Sequence, residues 1–197
     1  MPAAHSRELV LASSSAYRRA LLERLRLPFT TASPDIDELA APGELAHDLA
    51  LRLAIEKARV VGRRFPQALV IGSDQVAEVA GTYLGKPGGR DGAVLQLQLA
   101  RGQTVTFDTA LCLLDARTNR TQQSVVQTRV TMRNYTDEEI GRYIDLEQPY
   151  DCAGGARIEA LGIALVARID GNDPSALIGL PLVALCGMLR NEGIALP

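Results

Sequence analysis

Asp74 is the carboxylate in this sequence whose neighbours point most directly to chemistry. It follows Gly72 and Ser73 at the close of Ala68-Leu69-Val70-Ile71, an apolar run that reads as a buried strand. That places it at the end of an extended segment, or in a break within one that Ala77 to Ala80 continues with alternation as far as Gly81. A carboxylate there is costly to bury alone, but at the mouth of a sheet it can hold a metal or take a proton from water. Taken by itself, Gly-Ser-Asp reads as a plain turn. A second cluster is Ser13-Ser14-Ser15 followed by Arg18 and Arg19, between an apolar run and a helical pattern. Strand, polar turn and helix start form the geometry that binds phosphate, and an anion would offset two cations set against the helix dipole. The same residues also describe an ordinary capped helix with solvated arginines. Asp35, Asp37 and Glu38 put three carboxylates into four positions, which by charge alone is a solvated acidic turn. Lys57, inside a long helix, reads alone as a surface lysine. Lys86 lies in Leu84-Gly85-Lys86-Pro87-Gly88-Gly89, where glycine permits close backbone approach and lysine offers a point charge for phosphate. The Walker spacing is absent from that loop.

The elements that must position these groups alternate in type. Glu8 to Ala12 reads as a strand, and Tyr17 to Leu25 as a helix with Tyr17, Leu21 and Leu25 on one face. Pro28 to Ala32 reads as a strand. Glu44 to Arg64 reads as a long helix with Leu45, Leu49, Leu53 and Ile55 among its apolar positions. Asp91 to Arg101 is a predicted helix closed by Gly102. Thr104 to Leu114 and Gln122 to Arg133 are predicted long strands joined by a polar turn. Thr136 to Glu139 is a capping box opening a helix through Asp145. Ala156 to Glu159 and Gly162 to Arg168 are predicted short strands, and Pro181 to Arg190 a closing helix. No internal repeat, low-complexity tract or linker interrupts the chain. The predicted class is α/β (α+β-like), a mixed twisted sheet flanked by helices, as a single domain over residues 1–197 or two intimate lobes.

Composition narrows the function. The chain of 197 residues carries 47% apolar and 22% charged residues and a net charge of -2, which excludes the basic excess of a general nucleic-acid binder. Trp is absent and aromatics are scarce, so a base-stacking platform is not expected. The histidines are His5, in a terminal stretch, and His47, so a multi-histidine metal site is excluded and a Ser-His-Asp triad is not expected. Cys112, Cys152 and Cys186 are far apart and read as buried free thiols of a reducing compartment. No membrane-spanning run is present, and the expected location is cytoplasmic.

The order of the pieces is specific. Leu-Ala-Ser-Ser-Ser-Ala-Tyr-Arg-Arg, Asp-Ile-Asp-Glu, Glu-Lys-Ala, Gly-Ser-Asp-Gln-Val, Gly-Lys-Pro, Cys-Ala-Gly and Asn-Asp-Pro-Ser-Ala-Leu-Ile-Gly-Leu-Pro follow one another from Leu9 to Leu189. In this the sequence resembles the Maf family of nucleoside triphosphate pyrophosphatases. The resemblance implies an elongated two-lobed Maf/ITPase-like fold with a central cleft, often dimeric, which leaves a homodimer open. It implies hydrolysis of a nucleoside triphosphate between the α- and β-phosphates, with a divalent metal. It assigns the base to Asp74, the acidic metal side to Glu38 beside Asp37, and phosphate handling to Ser13, Arg18, Arg19, Lys57 and Lys86. Residue chemistry agrees. A triphosphate carries about four negative charges, which two arginines and two lysines can clamp. Mg²⁺ or Mn²⁺ takes oxygen ligands, here Glu38 and Asp74, and Co²⁺ is not separated from them by ligand type.

Members of the family divide at three positions, matched here by Tyr17, Gln75 and Glu159. The branch acting on dTTP and UTP typically shows Arg, Thr and Gln; the branch resembling 7-methyl-GTP pyrophosphatase shows an aromatic residue, Gln and Glu. This chain falls with the second, with Tyr where Trp is usual and Ala16 where Pro is common. A cationic methylated guanine is attracted to an aromatic face by roughly 0.5–2 kcal/mol, and a glutamate can accept from its N1–H and N2–H₂ edge. The expected role is removal of modified nucleotides. The competing readings are a dTTP/UTP or broad-range pyrophosphatase, and a nucleotide-binding cell-division regulator without turnover.

Overall fold

The computed structural model describes residues 7–196; His5 lies outside them. The elements in chain order are β1 (Leu9–Leu11), α1 (Ala16–Glu23), β2 (Thr30–Thr31), α2 (Ala46–Gly62), β3 (Leu69–Val79), β4 (Thr82–Leu84), α3 (Arg90–Ala100), β5 (Thr104–Asp115), β6 (Arg120–Met132), α4 (Asp137–Glu147), β7 (Val166–Asp170) and α5 (Leu182–Asn191). The strand order is β2-β1-β3-β5-β6-β7, with β4 paired to β3. β1 runs parallel to β2 and β3, whereas β4 and β7 join antiparallel. This is the mixed sheet with helices that the sequence predicts.

The chain divides into two compact units. One takes in Met1–Gln75, Thr109–Val126 and Asp173–Pro197; the other takes in Val76–Asp108 and Gln127–Asn172. In the first, Leu9, Leu11, Leu69, Ile71, Leu111 and Leu113 of the strands pack with Leu21, Leu22, Leu185 and Leu189 of α1 and α5. Each such side chain contributes about 1.5–3 kcal/mol by leaving water. Ser15 caps α1, its hydroxyl accepting from the Arg18 N–H. Along α2 the buried positions Ala46, Leu49, Ala50, Leu53, Ala54, Lys57, Ala58 and Val61 repeat at helical spacing. Lys57 thus belongs to the inward stripe, and its reading as a surface lysine is corrected. Leu45, expected among the apolar positions, caps the helix and is exposed.

In the second unit α3 packs on α4. Thr136 and Glu139 form the expected capping box, and the Tyr135 hydroxyl donates to the Leu97 carbonyl at 2.8 Å. The predicted strands at 156–159 and 162–168 are not formed as such. The amides of Ala160 and Gly162 both donate back to the Arg157 carbonyl, closing a turn. A side chain at Gly162 would lie 2.5 Å from that carbonyl, so the glycine permits the turn. A 3-10 segment, Leu161–Leu165, follows, and the strand begins only at Val166.

Candidate active site

Asp74 does not end a strand. It lies in the middle of the eleven-residue β3, buried, with the strand running on to Val79. Gly72 has a packing reason rather than a turn reason. A Cβ there would fall 2.1 Å from the Ala54 carbonyl oxygen and 2.9 Å from the Ala58 amide, so α2 and β3 meet backbone to backbone at this point. That approach brings the residue between those two helix positions onto the strand: Lys57 Nζ donates to Asp74 Oδ1 at 2.5 Å. The same ammonium lies 2.6 Å from Glu38 Oε1. Lys57 is almost wholly buried, whereas the Glu38 side chain remains 60% exposed. One cation therefore bridges two carboxylates from different parts of the sequence.

Arg18 joins them electrostatically. Burial pushes its pKa down from the ordinary arginine value, and the carboxylates of Asp74 and Glu38 oppose that shift. Its Nε donates to the Gly179 carbonyl at 2.8 Å, so the reading of a solvated arginine fails at this position. Gly179 has φ +119°, and the Cβ of any other residue would sit 3.6 Å from that Nε. The same carbonyl accepts from Ser73 Oγ, which also donates to the Ala110 carbonyl. Gln75 Nε2 lies within donor range of Thr109 Oγ1 and the carbonyls of Ala176 and Leu177, at 2.9, 3.0 and 3.1 Å. Segment 173–180 is thus a brace for Arg18, Ser73 and Gln75. Asp173 secures it in turn: Oδ1 accepts from the Ser175 amide and hydroxyl, and Oδ2 from the Val183 amide. Sequence reasoning noted this motif without a role; Ser73, Thr109 and Gly179 were not foreseen as site supports.

The other expected residues are placed unevenly. Ser13 is buried just beyond β1, its hydroxyl accepting from the Ser15 amide at 3.1 Å. Tyr17 is half-buried on the helix that carries Leu21 and Leu25. Arg19 is exposed and paired with Glu23 at 3.1 Å, apart from the buried cluster. Lys86 and Glu159 belong to the second unit. Lys86 is exposed in the loop before α3. Glu159 lies in the turn after Arg157, whose Nε is 3.8 Å from Glu159 Oε1 and whose Nη1 is 2.8 Å from Glu147 Oε1.

The cysteines take no part. All are free; Cys112 is buried, while Cys152 and Cys186 are half-buried rather than buried as expected. Burial pushes the Cys112 and Cys152 thiols up to about 12, so neither is a thiolate nucleophile near neutral pH. Among the described residues no group of three or more His, Cys, Asp or Glu could hold a metal. The hard oxygens of Asp74 and Glu38 remain as a two-carboxylate donor set, a number that suits Mg²⁺ completed by phosphate and water. A buried ammonium between two carboxylates, with a guanidinium alongside, can organise an anionic ligand.

Comparison with known proteins gives the family. The model of the Maf-like protein family matches residues 8–192. A 7-methyl-GTP pyrophosphatase of Cupriavidus pinatubonensis is 57% identical over 94% of this chain and 93% of its own length. One from Aromatoleum aromaticum is 57% identical over 96% of this chain and 98% of its own, and one from a Polaromonas species is 56% identical over 97% and 87%. Among solved structures, a HAM1 protein from Coxiella burnetii superposes with a TM-score of 0.46 at 16% identity, covering 66% of this chain and 74% of that one. On a match that spans almost its entire length, this chain belongs to the Maf-like family.

Proposed function

We propose that this protein is a metal-dependent nucleoside triphosphate pyrophosphatase that hydrolyses 7-methyl-GTP to 7-methyl-GMP and pyrophosphate. The observation that carries the reading is Lys57 held between Asp74 and Glu38, with Arg18 alongside, in a chain 55–57% identical to relatives bearing that name. The oxygen of a water bonds to the α-phosphorus, and the bond to the bridging oxygen of the β-phosphate breaks. The electron pair leaves on pyrophosphate, and the proton of the water goes to Asp74. Lys57 orients the Asp74 carboxylate toward that water, while Arg18 and Lys86 stabilise the charge that grows on the leaving group. Asp74 and Glu38 would hold a Mg²⁺ or Mn²⁺, which when bound neutralises phosphate charge and orients the reacting groups.

Base choice is assigned to Tyr17, Gln75 and Glu159. Tyr17 offers an aromatic face to the cationic ring. Glu159 accepts from the guanine edge in competition with Arg157. Gln75 is held rigidly by its bonds to 109 and 176–177, which lowers the entropy lost when it meets a base. No helix among the described residues is long and apolar enough to cross a membrane; action on the cytoplasmic nucleotide pool, removing modified nucleotides, fits the assignment.

The test is pyrophosphate release from 7-methyl-GTP, GTP, dTTP and UTP, with Mg²⁺ and with chelator, by the intact chain and by Asp74→Asn. The expected result is preference for 7-methyl-GTP, abolished by chelator and reduced about a hundredfold or more in Asp74→Asn, the scale of a lost general base. Preference for dTTP or UTP would sink the base assignment while keeping the reaction. Binding without turnover of any of them would overturn the enzyme reading.

A further inference from the structure

The geometry points to Arg52 as a positioning residue that clamps segment 39–44 and thereby sets Glu38 against Lys57. This rests on the reading of Glu38 as the metal-side carboxylate. Glu38 comes from an irregular stretch with no helix or strand between β2 and α2, so something other than secondary structure must fix it. Arg52 Nη2 donates to the carbonyl of Leu39, the residue next to Glu38, at 3.0 Å. Its guanidinium also grips Glu44 through two parallel bonds, Nε to Oε1 at 2.7 Å and Nη2 to Oε2 at 2.9 Å. Glu44 Oε2 in turn accepts from the Ala41 amide at 2.9 Å. The two ends of 39–44 are thus tied to a single side chain one and a half helical turns before Lys57.

The plain alternative is a surface ion-pair network of small worth. Two features separate Arg52 from it. The Glu44 side chain is only 12% exposed and is engaged bidentately, the arrangement in which arginine gains geometric specificity. One guanidinium also serves the Glu44 carboxylate, the Leu39 carbonyl and, through Nη1 at 3.4 Å, Glu56 Oε1 at once, which the point charge of a lysine does not reproduce. The clamp also keeps its charge: the Arg52 hydrogen bonds hold the Glu44 carboxyl down at about 2. An acid with a depressed pKa contributes its interaction above its ordinary pKa and loses it as pH falls through the depressed value. The clamp is therefore intact across any pH at which the enzyme is assayed near neutrality.

The experiment uses Arg52→Ala and Arg52→Lys in the full chain, each with native Glu38 and with Glu38→Gln. Three quantities are read: hydrogen exchange of the amides in 39–44, the Mn²⁺ concentration half-saturating the protein by electron paramagnetic resonance, and the Mg²⁺ concentration half-activating 7-methyl-GTP hydrolysis. Arg52→Ala is expected to speed exchange in 39–44 and to raise both metal concentrations about tenfold, the scale seen when a residue supporting a metal ligand is removed. Arg52→Lys is expected not to restore them. In the Glu38→Gln background Arg52→Ala is expected to change the metal concentrations less than about twofold, because its effect runs through Glu38. Equal losses in both backgrounds, or unchanged exchange in 39–44, would overturn the proposal. If the native chain hydrolyses no triphosphate, the functional reading fails by itself, and the exchange and Mn²⁺ measurements still decide the role of Arg52.

Discussion

A single glycine in the first unit and a glycine-rich loop in the second do opposite things for a nearby lysine. In the first unit Gly72 of β3 is pressed against α2, and the contact it allows delivers Lys57 to Asp74. In the second unit Gly85, Gly88 and Gly89 flank the exposed Lys86, and a Cβ at any of them would meet nothing within 4 Å. The first arrangement fixes charges before a ligand arrives, with partners in hand and little water. The second leaves the Lys86 cation exposed on a loop tied down by its backbone, the Gly88 amide donating to the Tyr150 carbonyl at 3.1 Å. Burial therefore tells a preorganised group from a recruited one where residue type does not.

The largest effect should come from disturbing the jammed glycine. Gly72→Ala places a methyl group against the Ala54 carbonyl, which nothing but movement of α2 can relieve. Overpacking of this kind costs about 3 kcal/mol, or a fall in Tm of ~6–12 °C for a chain of this size. Hydrolysis should fall further than the folded fraction, because Lys57 moves with the helix. Gly85→Ala, in open space, should leave Tm unchanged. Calorimetry on the two variants checks the contrast; equal melting temperatures would remove the packing argument for the Lys57–Asp74 pair.

The same contrast explains what the sequence could disclose. Apolar patterning placed β1, α1, α2, the start of β3, β5, β6 and α5 within a few residues, because their buried faces are local patterns, while the capping box opened α4 and Gly102 closed α3. It failed at 156–168, where turn closure on the Arg157 carbonyl is decided by Gly162 and not by side-chain alternation. It put Asp74 at the end of an extended segment or in a break within it, because Gly-Ser-Asp has turn composition; the strand runs on unbroken because its neighbours in the sheet pair with it and α2 covers Gly72. Lys57 read as a surface residue since its two carboxylate partners lie 19 and 17 positions away, beyond any spacing rule. The order of motifs named the family, yet Arg52 was invisible, because its partners sit on an irregular segment with no periodicity to read.

Lys86→Ala should have the next effect, of a different kind. An exposed side chain on an open loop contributes little to the fold, so Tm should stay within about 1 °C, as for surface substitutions generally. Its charge should matter when the triphosphate is bound and when the leaving group forms. Loss of one hydrogen bond to a charged group predicts kcat/KM for 7-methyl-GTP lower by about 10–100-fold. Steady-state kinetics with a melting curve on the same sample tests this. A large fall in Tm would mean that Lys86 is held as firmly as Lys57, and the distinction between the two regions would dissolve.

The smallest effect should come from Glu159→Gln, which keeps the shape of the side chain and removes its charge. Arg157 stands 3.8 Å from this carboxylate and is bonded more closely to Glu147, so the turn should persist without the charge and the melting temperature should hold. What should change is discrimination. A neutral amide still accepts one hydrogen bond from the guanine edge but no longer complements the cationic ring, so the ratio of kcat/KM for 7-methyl-GTP over GTP should fall by about tenfold. Activity on GTP itself should change less, because that ring is neutral. Competition between the two nucleotides in one reaction measures the ratio directly. An unchanged ratio would assign the choice of methylated base to Tyr17 and Gln75, both in the first unit.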